Sequence, residues 1–150
     1  MSNAEIAVLF EELAELMELA GENYFKIRAF RQAGETIRSL DRPLRDIPPE
    51  EIAELPGIGK AISKKIASAL ETGAFATLVK WGQSGYATLR PLAGIDGMSI
   101  RILRGMIKDL NLRSLDDLKK SLDDGTYDAY KKIDSKMKSS IKEHLLVNHG

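Results

Sequence analysis

Leu55-Pro56-Gly57-Ile58-Gly59-Lys60 runs directly into Ala61-Ile62-Ser63-Lys64-Lys65-Ile66, and this order of residue types can hold a phosphate. Gly57 and Gly59 allow backbone conformations and close approaches that a Cβ resists. The helix predicted behind them offers unpaired N–H groups and the positive end of its dipole. Lys60, Lys64 and Lys65 add full charges. The same residues also suit a plain tight turn between two helices, so the elements around the hairpin must decide between the two uses.

Those elements are helices. Ile6, Leu9, Phe10, Leu13, Leu16, Met17 and Ala20 recur at helical spacing, with Glu5, Glu11, Glu12, Glu15 and Glu18 on other faces, and Gly21 stops the pattern. Ile27, Phe30, Ala33, Ile37 and Leu40 form a second stripe, interleaved with Arg28, Arg31 and Arg38, until Pro43 interrupts it. Pro48-Pro49-Glu50-Glu51 opens a short third helix, because prolines fit a first turn and acids favour its positive end. That helix ends at Leu55-Pro56. Ile62, Ile66, Ala69 and Leu70 give the core face of a fourth, stopped by Thr72-Gly73. No segment alternates with period two, so the fold is expected to be all-α.

The chain has 150 residues and 43% hydrophobic content, enough for one ordinary core or two small ones. It has no cysteine, which excludes a disulfide framework and any thiolate zinc site. Nothing reads as a signal peptide or a membrane span, so a cytoplasmic protein with no membrane partner is expected. Twenty-two basic and 22 acidic residues cancel, and any nucleic-acid affinity must therefore come from a local patch.

Trp81-Gly82-Gln83-Ser84-Gly85 reads as a linker between a four-helix unit (residues 1–80) and a second helical subdomain (residues 86–150). Beyond it, Leu92-Ala93-Gly94-Ile95-Asp96-Gly97-Met98-Ser99-Ile100 repeats the hairpin frame, with Ile95 standing 37 residues after Ile58. An apolar helix follows through Ile102, Leu103 and Ile107. Ile133-Asp134-Ser135-Lys136-Met137, 38 residues further on, is a fainter copy without its glycine. A repeat of this length is one supersecondary unit used several times.

Two motifs now carry a resemblance: Gly21-Glu22-Asn23-Tyr24-Phe25-Lys26-Ile27-Arg28-Ala29-Phe30-Arg31-Gln32-Ala33, and the Leu55–Lys60 hairpin with Lys65 behind it. From about Ile6 to Leu146 the chain resembles the N-terminal region of family X DNA polymerases, that is, the small lyase domain and the helix-hairpin-helix segment that follows it. The resemblance implies two small helical subdomains built on helix-hairpin-helix units, similar to the N-terminal domain of polymerase beta. Gly125 to Ile141 is similar to a degraded third hairpin. The family's palm and its metal-binding aspartates have no counterpart, nor does the histidine-rich phosphoesterase domain of many bacterial members. Polymerisation by this chain is not expected. Asp116-Asp117 and Asp123-Asp124 fit helix ends better than metal sites, and the histidines are His144 and His149.

In the family, a lyase lysine attacks the open-chain aldehyde of an abasic end, and Lys65 occupies its place. The attacking amine must be neutral, whereas an ordinary lysine titrates near ~10.4, so desolvation or neighbouring cations must favour the neutral form. Lys65 falls at the edge of the core stripe, with Lys64 and Lys60 nearby. The resemblance makes Lys26 a ligand of the 5′ phosphate, and Arg31 adds charge on the same helix. Phe30 stands where the vertebrate repair enzyme has a tyrosine, while Ala61 and Thr77 replace phosphate-binding lysines.

For the hairpins, the resemblance implies phosphate binding by the amides of Gly57, Gly59 and Ala61, and of Gly94 and Gly97. Arg101 and Arg104 would offset Asp96, which stands where a second glycine belongs. A monovalent cation, Na+ or K+, would be held by the carbonyls of Ala53, Leu55 and Ile58, and more weakly by those of Arg90, Leu92 and Ile95; no cofactor is required. The function expected is sequence-independent, structure-specific binding of gapped, nicked or 5′-phosphate DNA in repair, with lyase chemistry at Lys65 and a separate polymerase or repair protein as partner. The alternative is a protein-interaction module in which the hairpins only pack helices. Trp81, Phe75 and Tyr86 would then contribute to its surface, although core packing suits a lone tryptophan better.

Overall fold

The computed structural model describes residues 1–147, among which there are helices and turns but no strand. The first apolar stripe winds into α1 (Asn3–Ala20). Gly21 ends it with a φ of +74°, and the chain turns so that the Glu22 N–H donates to the Met17 carbonyl at 2.9 Å. Asn23 then starts α2 (Tyr24–Arg38): its Oδ1 accepts the N–H groups of Phe25 and Lys26 at 2.9 and 3.3 Å. A short 3-10 turn leads to α3 (Pro49–Glu54) and α4 (Gly59–Thr72), and Gly73 closes α4 in the left-handed region. The all-helical expectation holds.

The chain divides into two compact units, Met1–Glu18 with Glu22–Gln83, and Leu19–Gly21 with the residues from Ser84 on. In the first, Phe10 stacks against Phe75 at 5.0 Å and Phe30 at 6.3 Å, and the same core takes in Ile58, Ile62 and Ile66. The second contains α6 (Gly85–Leu89), α7 (Ile100–Leu110), α8 (Leu115–Asp124), α9 (Thr126–Ala129) and α10 (Ser135–Val147) around Leu89, Leu92, Leu103, Tyr127 and Ile141. The Tyr127 hydroxyl donates to the Lys138 carbonyl at 2.7 Å, and burial pushes this phenol up to about 12.

Trp81–Gly85 is not the open linker its composition suggests. The first unit has a fifth helix, α5 (Ala76–Gly82), which takes in Trp81 and Gly82, and α6 begins at Gly85. A Cβ at Gly85 would lie 2.0 Å from the Arg113 carbonyl oxygen, so this glycine serves a close approach of two backbones rather than flexibility. Phe75 is buried, Trp81 packs on the first core and Tyr86 on the second. The acidic pairs do stand at turns: Asp117 accepts the Arg113 N–H at 2.8 Å, and Asp124 accepts the Thr126 N–H at 2.9 Å. His144 falls on α10, while His149 lies outside the described residues.

Candidate nucleic-acid interface

The first hairpin is a β-turn from Leu55 to Ile58, closed by the Ile58 N–H on the Leu55 carbonyl at 3.1 Å. Pro56 presets φ at its second position, and Gly57 takes φ +77° at its third, the arrangement of a type II turn. Gly59 follows at φ +68° and is already the first residue of α4. Ile58, buried between them, anchors the turn in the core. No side chain caps α4. The first-turn amides of Gly59, Lys60 and Ala61 therefore face outward at the positive end of the helix, with Lys60 and Lys64 exposed beside them.

Two supporting residues went unread in the sequence. The Thr36 hydroxyl donates to the Pro56 carbonyl at 2.8 Å, and one turn earlier the side chain of Gln32 lies where a Cβ on Gly57 would meet its Cγ at 3.0 Å. Both belong to α2, so the helix that carries the first motif holds the second in place. Their signal was the i, i+4 spacing of two polar residues on one face of an amphipathic helix, which by itself does not name a partner.

Lys65 is half-buried, and its Nζ stands 5.9 Å from the centre of the Phe30 ring. Lys26 lies four residues before Phe30 on α2 and is exposed. Arg31 is engaged elsewhere, in an ion pair with Glu18 of α1. Tyr24 and Phe25, next to Lys26, are 64% and 74% exposed and meet edge to face at 5.6 Å.

The second hairpin departs from the first. Leu92 again accepts the N–H of Ile95 at 3.1 Å, but Arg90–Gly94 is a 3-10 turn in which Gly94 has no positive φ. The left-handed glycine is Gly97, at φ +85°, in a second turn where Met98 N–H donates to the Ile95 carbonyl at 2.9 Å. Helix α7 starts only at Ile100, four residues later than the 37-residue frame requires, and Ser99 Oγ caps it by accepting the Ile102 N–H at 3.1 Å. The frame is thus not repeated in space: Asp96 carries a Cβ that disfavours the conformation of Gly59, and the turn moves on to Gly97. Arg101 is exposed in the first turn of α7, whereas Arg104 lies against Gly21, its guanidinium 2.6 Å from where a Cβ would stand. At the third hairpin Asp134 caps α10 through the Met137 N–H at 2.8 Å.

The helix-hairpin-helix domain family matches residues 1–75, the region of α1 to α4 and its hairpin. The chain is also similar to DNA polymerase/3'-5' exonuclease PolX of Bacillus subtilis (strain 168), with 30% identity over 121 residues, covering 81% of this chain. It spans only 21% of the length of that relative. The resemblance to the N-terminal region of family X polymerases is borne out by this match. With half its length matched and the Leu55–Lys60 hairpin built as described, the chain belongs to the helix-hairpin-helix domain family.

Proposed function

We propose that this protein binds DNA through the phosphate backbone, without reading bases, and that the first hairpin is its principal contact. The observation that carries this reading is the uncapped start of α4 behind Gly57 and Gly59, with Lys60 and Lys64 exposed around it. Amides and lysines of this kind position a backbone and carry no sequence information. Gapped, nicked and 5′-phosphate ends are the preferred substrates, in DNA repair and in company with a separate polymerase or repair protein. The exposed pair Tyr24 and Phe25 beside Lys26 supports a gap, since an unstacked base finds an aromatic face there. The Leu55 carbonyl keeps a lone pair after accepting Ile58 N–H, which suits a Na+ or K+ held with Ala53 and Ile58; Leu92 keeps one likewise, but its partner Ile95 already accepts the Met98 N–H, so a cation there would be held more weakly.

Lyase chemistry belongs to the same proposal. Lys65 Nζ would add to the C1′ aldehyde of an abasic end and expel water to give an imine. Loss of a C2′ proton then breaks the C3′–O bond, the 3′ phosphate leaves, and water releases the sugar fragment from Lys65. The Phe30 ring, its centre 5.9 Å from Lys65 Nζ, is the aromatic neighbour beside which this chemistry would run.

Titration of a gapped, 5′-phosphorylated duplex by fluorescence anisotropy tests binding. With about three to five phosphates contacted, log K is expected to fall with log salt at a slope of roughly −3 to −4.5. No binding at low salt sinks the DNA reading and leaves the protein-interaction module. Borohydride trapping on an incised abasic substrate tests the lyase: Lys65→Ala is expected to lose the adduct, and an undiminished adduct removes Lys65 from the role.

A further inference from the structure

We propose that the cleft on the outer face of α2 is a second phosphate subsite, in which a backbone phosphate takes over Arg31 from Glu18. The cleft, of about 390 Å³, is lined by Tyr24, Arg28, Arg31, Gln32 and Glu35. Their spacing places them on one side of α2. Gln32 also lies against Gly57, so the cleft runs up to the first hairpin, and a strand held at α4 can continue along it.

Arg28 and Arg31 are neighbours three residues apart, a like-charge pair that an anion between them would stabilise. At present Glu18 serves Arg31 alone, and Arg28 has no ion-pair partner among the described residues. A phosphate can reach both guanidinium groups with charge-assisted hydrogen bonds, which a carboxylate anchored on α1 beside Arg31 does not do. The exposed Tyr24 hydroxyl adds an uncharged donor at the same end. Glu35, one turn beyond Arg31, confines the anion to the Tyr24–Arg28–Arg31 end. Glu18 thereby acts as an internal competitor that limits affinity for DNA backbones, and its displacement is part of binding.

The inference rests on the DNA-binding reading, and the experiment separates their failures. The full chain is titrated with the 5′-phosphorylated gapped duplex between about 50 and 200 mM salt, as wild type, Arg28→Gln, Glu18→Gln and Lys60→Ala. Arg28→Gln is expected to weaken binding by about three- to tenfold and to flatten the salt slope by about 0.9; Glu18→Gln is expected to tighten it by a similar factor. Lys60→Ala reports on the hairpin alone. If Lys60→Ala weakens binding while either of the other variants keeps wild-type affinity and slope, the second subsite is wrong and the hairpin reading stands. A wild type that binds no DNA overturns both. Melting curves of each variant confirm that exposed Arg28 and half-buried Glu18 act on binding rather than folding.

Discussion

Leu55 and Leu92 close the same hydrogen bond, each accepting the N–H of the isoleucine three residues on, yet the chain leaves the two turns differently. After Leu55, proline and a left-handed glycine turn the backbone at once into a helix whose first amides no side chain occupies. After Leu92, Ala93 lets the chain continue as a 3-10 turn, the left-handed position moves to Gly97, and Ser99 fills the helix start with its own hydroxyl. An anion at the first hairpin meets free donors. At the second it must displace a cap and tolerate Asp96. The difference teaches that a hairpin's capacity for phosphate depends less on its glycine count than on whether a side chain satisfies the helix behind it.

The largest test of this contrast concerns the anchors. Ile58 is 4% exposed in the first core, and Ile58→Ala should cost about 2–5 kcal/mol by urea unfolding. Ile95 is only partly buried against the second core, so Ile95→Ala should cost less than half as much. Equal costs would mean that both hairpins are anchored alike.

Next in size are the glycines. Gly59 has φ +68° and nothing within 4 Å of an added Cβ, so Gly59→Ala carries a purely conformational penalty of about 1–2 kcal/mol. Relaxing that strain reorients the α4 amides, and DNA affinity should fall by about tenfold, equivalent to ~1.4 kcal/mol. Gly94 also has open space but an ordinary φ, and Gly94→Ala should leave both stability and affinity within about 0.5 kcal/mol of wild type. A comparable loss of affinity in both variants would restore the second hairpin as an equal contact.

The helices, their stops and the place of the first hairpin were legible because apolar periodicity, Pro49, Gly21 and Gly73 act locally. The second hairpin was misread because its pattern of Leu, Gly and Ile is the same, while its conformation depends on one Cβ at Asp96 and on the cap offered by Ser99. Trp81–Gly85 has the composition of a linker, although Gly85 exists to let the Arg113 carbonyl approach. Arg31 and Arg104 read in the sequence as charges serving phosphate at Lys26 and at the second hairpin; Glu18 and Gly21, remote or nearly so in the chain, decide where those guanidinium groups lie. Gln32 and Thr36 could not be assigned a partner until α2 and the hairpin were seen together.

Removing the cap should show the same division at a smaller scale. Ser99→Ala leaves the Ile102 N–H without its acceptor and should cost about 1 kcal/mol of stability. With the first hairpin as the proposed principal contact, DNA affinity should not change. A gain in affinity would indicate that the cap had been masking a second phosphate site.

The smallest effect concerns the brace that holds α2, and with it Gln32 and Thr36, to α1. Arg38 donates to both carboxylate oxygens of Glu11 at 2.7 Å, and these hydrogen bonds hold the Glu11 carboxyl below its ordinary value. The ionised form is therefore the one favoured by folding. Its contribution is complete above the ordinary carboxylate range, near ~4.3, and is lost as pH falls through the lower folded value. The pair is partly exposed, so about 0.2–1 kcal/mol is at stake. Arg38→Gln should remove that amount at pH 7 and flatten the acid limb of stability measured by urea unfolding. The Thr36 bond to Pro56 lies two residues before Arg38 on the same helix, so in that acid range the first hairpin should be held less firmly, while the Ser99 bond to the Ile102 N–H, which has no titrating group, is unchanged. Equal acid sensitivity in wild type and Arg38→Gln would show that the brace does not support the hairpin.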